Sequence, residues 1–238
     1  MIPFMIPISQ IPTSYQQLFN DITATVKEYN VRLKISEDDE IEYLGHPHFG
    51  FFIENPPTLG LAIGGDPNEW LPVLVHESCH MDQWIEQSPY WTNGHISNVE
   101  VCDIMNLWID REIELSPTQI TNILTKTRDI ELDAERRTVD KFVKYGVDIN
   151  VEEYVQRANA YIYSYNFFAK FRAWNDPDKL SAHLLDSIWT KMPTHFNNDY
   201  TETPCEYREY FAEIFPQMKC KGCDCEDITI DGSHGYAI

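Results

Sequence analysis

The chain has 238 residues, with 18 Lys plus Arg against 38 Asp plus Glu and a formal charge of −20. Hydrophobic residues make up 43% and aromatics 13%, enough to bury a core, which excludes a disordered chain. So acidic a surface repels phosphate backbones and anionic lipid, which argues against nucleic-acid and membrane partners, and no apolar run approaches the roughly 20 residues of a spanning helix.

The first nine residues are apolar, but they carry Pro3 and Pro7 and no basic flank. They do not resemble a secretory signal, so a cytoplasmic protein is expected. Residues 31–35 alternate apolar and polar, as a strand does, and the acidic run Glu37-Asp38-Asp39-Glu40 reads as a solvated turn. Two further strands are expected at 49–54 and 58–63, parted by Asn55-Pro56-Pro57 and closed by Gly64-Gly65. Asp66-Pro67-Asn68-Glu69 then offers a helix start, although Pro72 suggests that regular helix begins only at that residue.

A second helix is expected over 98–114. A third opens at Ser116-Pro117 and runs to Gly146, or breaks near Thr125-Lys126-Thr127. Asn150 caps a fourth, whose aromatic run includes Tyr161, Tyr163, Tyr165, Phe167 and Phe168 and reads as core. Thr203-Pro204-Cys205-Glu206 has the form of a capping box for a last helix reaching Phe215. There is no internal repeat and no long linker. The expected architecture is one α+β domain over 1–216, mostly helical, with a small N-terminal sheet packed on the helix that follows it. A cysteine-bearing tail covers 217–238.

The chemistry concentrates in Leu74-Val75-His76-Glu77-Ser78-Cys79-His80, an H-E-x-x-H sequence on a predicted helix. Residues four apart share a helix face, so His76 and His80 can aim two imidazole nitrogens at one zinc ion. Glu77, one residue round, is placed to reach the attacking water as a general base. A catalytic zinc also needs a third protein ligand. Glu86 lies on another face of a helix that has Gln83-Trp84 where a glycine turn would be needed to bring it back. His95 follows the breakers Ser88-Pro89 and Asn93-Gly94. The carboxylate-rich helix Asp129-Ile130-Glu131-Leu132-Asp133-Ala134-Glu135-Arg136-Arg137 is favoured. Its Glu131 and Glu135 share a face, and small Ala134 permits close helix approach. Glu131 is the expected ligand and Glu135 the expected partner of a ligand histidine. The bland alternative is a solvated helix with pairs such as Asp133 with Arg137.

His76-Glu77-Ser78-Cys79-His80, followed by Glu131-Leu132-Asp133-Ala134-Glu135, resembles the gluzincin branch of zinc metallopeptidases. The nearest pattern is that of the CAAX-processing and heat-shock-type endopeptidases, with E-x-x-A-D as second motif. Glu135 stands where that family has Asp, and the spanning helices of those relatives have no counterpart here. The resemblance covers about 71–85 and 129–145. It implies a zincin-like fold, one catalytic zinc held by His76, His80 and Glu131, and Glu77 as general base in peptide-bond hydrolysis.

An oxyanion donor would come from Tyr161, Tyr163, Tyr165, His183 or His195, which sequence does not separate. Cys79 and Cys102 read as small buried hydrophobes. Cys220, Cys223 and Cys225, with Cys205 or His234 as fourth, admit a structural zinc site or a local disulfide, with free thiols the simplest reading. Two other functions compete: a zincin scaffold that binds without turnover, and a zinc hydrolase of a non-peptide amide.

Overall fold

The structure, a computed structural model, describes residues 11–97, 99–173 and 180–215. After a short 3-10 turn, helix α1 (Gln16–Glu28) leads into strand β1 (Arg32–Ser36). The hairpin β2 (Ile41–Tyr43) and β3 (His46–His48) follows, then β4 (Gly50–Glu54) and β5 (Pro57–Ala62). The remainder is mainly helical: α2 (Pro67–Ile85), α3 (Pro89–Asn93), the two-residue strands β6 (His95–Ile96) and β7 (Val99–Glu100), and α4 (Val101–Ile109). Then come α5 (Pro117–Tyr145), α6 (Val151–Phe171), α7 (Asp186–Trp189) and α8 (Cys205–Phe211). The protein is thus mixed α and β, mostly helical with small sheets. Among the described residues no helix is long and apolar enough to cross a membrane.

The main sheet has the order β1-β5-β4, with β1 parallel and β4 antiparallel to β5. Its strands lie within a residue or two of the predicted ones. Gly64 lets the chain leave β5 under the acidic turn, since a Cβ there would stand 2.7 Å from the Glu37 carbonyl oxygen. The sheet packs on α2 through Phe52, Leu59 and Leu61 against Leu71, Leu74 and Val75, all buried in one cluster with α1.

Helix α2 starts at Pro67, not at Pro72. Asp66 caps it, accepting from the Asn68 amide at 2.8 Å. Pro72 removes one backbone bond inside the helix, and the burial of Trp70, Leu71, Leu74 and Val75 outweighs that loss. Helix α4 is shorter than expected. It ends at Ile109, where Arg172 reaches over to the Trp108 carbonyl at 2.6 Å and the Ile113 carbonyl at 2.9 Å. Helix α5 is unbroken, opened by the Ser116–Gln119 capping box and closed by Gly146 at φ +61°. The expected box at Thr203 does not form: Pro204 is the N-cap of α8 with no side-chain cap bond, and the Thr203 hydroxyl instead accepts from Asn166 at 3.0 Å. Residues 217–238, including the cysteine cluster, lie outside the described residues.

Helices α2 and α5 lie in close contact. Lys141 Nζ donates to Ser78 Oγ and pairs with Asp82, each at 2.8 Å, while Thr138 Oγ1 sits 3.5 Å from Cys79 Sγ. Further along, Gln83 meets Ile130 and Asp133. Ala134, fully buried, leaves the space for this approach. On the other side, Gly94 abuts α5: a Cβ there would fall 2.2 Å from Ile130 Cδ1. Gly94→Ala is therefore expected to destabilise the fold by about 1–3 kcal/mol through overpacking, read as a lower urea midpoint at unchanged slope.

Candidate metal centre

Helix α2 sets His76 and His80 one turn apart with their Nε2 atoms at 3.1 Å. Helix α5 delivers Glu131, whose Oε2 is 3.3 Å from His76 Nε2 and 3.5 Å from His80 Nε2. A tetrahedral ion with bonds of about 2.0–2.1 Å requires donors about 3.3–3.4 Å apart. The three separations match one such ion. Among the described residues this is the one group of three or more His, Cys, Asp or Glu donors that converge in this way.

The tautomers explain why the donors face a single point. Gln83 Nε2 donates to the Ile130 carbonyl at 3.0 Å and to Asp133 Oδ2 at 2.8 Å. Its oxygen is thereby turned to His80 Nδ1, 2.9 Å away. Neutral His80 then carries its proton on Nδ1 and presents a lone pair at Nε2. His76 Nδ1 stands 3.5 Å from Glu135 Oε1, outside hydrogen-bond geometry but placed to favour the proton on that nitrogen. The other Glu135 oxygen accepts from the Tyr154 hydroxyl at 2.6 Å. In these neutral tautomers two ring lone pairs and a carboxylate oxygen point together, a set that could hold a metal ion.

The electrostatics agree. Burial disfavours charge on both imidazoles, yet the carboxylates outweigh it: Glu135 and Glu131 hold the His76 pKa well above its ordinary value, and Glu131 raises that of His80. Burial would raise the Glu131 carboxyl, but His80 and His76 hold it well below the usual carboxylate range. Glu77, on the same turn as His76, is pushed up by burial against the pull of both imidazoles.

Other candidates fall elsewhere. Glu86 caps the end of α2 and is 55% exposed, paired to Arg137 at 2.7 Å. His95 faces the Trp91 carbonyl at 2.9 Å and Glu54 at 3.3 Å. The Asp133–Arg137 pair is present at 2.7 Å, on the same helix as the donor Glu131. Tyr163 turns away to Asn197 and Tyr200, and the His195 carbonyl accepts from Asn159 at 3.0 Å. Tyr161 and Tyr165 share a hydroxyl–hydroxyl bond of 2.8 Å, and His183 packs edge-on against Tyr161. Cys79 is buried and free, and Cys102 lies beside the site with burial, then the Glu131 charge, pushing its thiol up.

A cavity of about 1260 Å³ opens on the donors and on Glu77, Tyr161 and His183. Strand β4 forms one wall, and the β2–β3 hairpin leans over it with Tyr43 stacked on Phe51 at 4.7 Å. Gly50 admits β4 to this position, because a Cβ there would stand 2.8 Å from Val73 Cγ1 and 3.0 Å from Glu77 Cγ. Residue-level reasoning missed Gln83 and Tyr154. Gln83 follows His80 by three residues and so shares its face, a signal present in the sequence. Tyr154 reaches Glu135 only through the packing of α6.

Comparison with protein-family models, with characterised proteins and with solved structures found no match.

Protons and a metal compete for the imidazoles, since the ligands must be deprotonated to bind. Both histidine pKa values are raised, so if these imidazoles hold a metal, affinity for added zinc should climb with pH through the imidazole titration and level off above it. Zinc binding below that titration should release protons, measurable by calorimetry in buffers of different ionisation enthalpy. Affinity that is flat between about pH 5 and 8 would rule out these imidazoles as ligands.

Proposed function

We propose that the protein is a zinc-dependent metallopeptidase of zincin-like fold, with His76, His80 and Glu131 as metal ligands and Glu77 as general base. The observation that carries this reading is the convergence of two imidazole nitrogens and one carboxylate oxygen at tetrahedral spacing beside the Glu77 carboxyl. The nitrogen donors exclude magnesium and calcium as natural occupants and suit zinc. Bound there, zinc would lower the pKa of water and polarise the scissile carbonyl.

Glu77 takes the proton of the attacking water on its carboxylate and passes it to the leaving amine. Burial raises its pKa and so makes the carboxylate a stronger base. Glu135, steadied by Tyr154, supports His76 from behind. The Tyr161 hydroxyl is free to donate to the oxyanion when Tyr165 donates to it, and His183, lowered to about 4 by burial, stays neutral beside it.

A peptide fits the geometry through β4. This strand is the outer member of its sheet, and the Ala62 amide bonds to the Phe49 carbonyl at 2.9 Å. By antiparallel alternation the backbone groups of Gly50 and Phe52 face away from β5, at the cavity. An extended substrate can add there as a further strand. The free thiols of Cys79 and Cys102 suit a reducing compartment such as the cytoplasm.

Metal analysis should find about one zinc per chain. Glu77→Gln should keep that zinc and lower cleavage of a peptide library by at least about 10²-fold. Tyr161→Phe should lower kcat by about 10²-fold with zinc content unchanged. Zinc without cleavage of any peptide would favour a binding scaffold, and turnover of non-peptide amides alone would redirect the substrate class. Iron in place of zinc, or a metal-free chain whose His80→Ala variant is unaltered in stability, would end the reading.

A further inference from the structure

We propose that Gln83 is a positioning residue of the metal centre: one buried amide that fixes the His80 tautomer and holds the turn of α5 that carries Glu131. The inference rests on the metal ligands proposed above.

Gln83 is completely buried, and all of its amide is committed. The oxygen accepts from His80 Nδ1 at 2.9 Å, and the two N–H groups go to the Ile130 carbonyl at 3.0 Å and Asp133 Oδ2 at 2.8 Å. A flipped amide would set its oxygen against two oxygens, so the orientation has one solution. Ile130 immediately precedes Glu131, and these contacts span 47 and 50 residues of sequence. Through them the amide that orients one ligand on α2 also grips the helical turn bearing the ligand on α5.

The choice of glutamine follows from the count of donors and acceptors. One imidazole N–H and two oxygens require one acceptor and two donors, which is the inventory of a primary amide. Asp133 is already engaged by Arg137 Nε at 2.7 Å, and Arg137 NH1 reaches Glu86 at 2.7 Å. A glutamate at position 83 would still accept from His80. It would also face the Asp133 charge and leave the Ile130 carbonyl without this donor. A methionine would fill the space and make none of the three bonds.

Three variants test this: Gln83→Met, Gln83→Glu, and Gln83→Glu combined with Asp133→Asn. Gln83 and Arg137 both bond Asp133 Oδ2, so the double variant does not rebuild both bonds; it removes the charge that would face the new carboxylate. Zinc affinity is read by competition with a chromogenic chelator. Histidine tautomers are read from ¹⁵N shifts of metal-free protein at a pH where the imidazoles are neutral.

Gln83→Met is expected to lose about 10- to 100-fold in zinc affinity and the single Nδ1–H tautomer of His80. Gln83→Glu should lose at least as much, and adding Asp133→Asn should return part of that loss by removing the facing charge. Gln83→Met that binds zinc as the parent does and keeps the His80 tautomer would overturn the inference. Where that variant does not fold, a Gln83→Glu chain that binds zinc as tightly as the parent overturns it instead. A parent chain that takes up no zinc overturns the metal reading itself, and the tautomer measurement on metal-free protein then decides the role of Gln83. A parent that binds zinc beside unimpaired variants removes Gln83 alone.

Discussion

Three electron-rich atoms, two imidazole nitrogens and one carboxylate oxygen, are held 3.1 to 3.5 Å apart at the floor of the cavity. Like-charged density at that spacing repels unless something positive sits among it. A proton on one imidazole can serve and so can a divalent ion; the raised histidine pKa values register the same demand. The rest of the molecule keeps this repulsive set from relaxing. Helix α2 fixes the histidine spacing, its contact with α5 fixes the third donor, and Gln83 with Glu135 turns the lone pairs inward.

Much of this framework was legible in the sequence. The three strands of the main sheet announce themselves by alternation and by the Asn55-Pro56-Pro57 and Gly64-Gly65 breakers. Asp66, Ser116, Asn150 and Gly146 mark helix ends because side-chain caps and a left-handed glycine are local effects, decided within four residues. His76 and His80 follow from helical spacing alone. Glu131 did not follow from its own surroundings; it stood out only because the histidine pair required a partner.

What the sequence hid depends on contacts made across the fold. The β2–β3 hairpin turns on Leu44 at φ +50° and Gly45 at φ +82°. A leucine in the left-handed region carries none of the Asn-Gly signature of such turns, and Pro47 argues against a strand. Pro72 is tolerated because the buried face of α2 compensates. Thr203 looks like a cap but is drawn off by Asn166, a partner 37 residues earlier. Gln83 sits three residues after His80, so its face was legible, but not its partners. Its positive role needs α5 alongside, as does the separation of Tyr161 from Tyr163, which helical rotation sends to different faces of α6.

Helix α5 belongs to both large hydrophobic clusters: Phe142 packs with the sheet side, while Ile123, Leu124 and Leu132 pack with the C-terminal helices. Its 29 residues make a rod about 43 Å long. Neither half of the interior can drift independently, because repacking at one end tilts the axle that carries Glu131. Sequence change far from the cavity, in either cluster, is thereby converted into altered spacing between Glu131 and the two imidazoles.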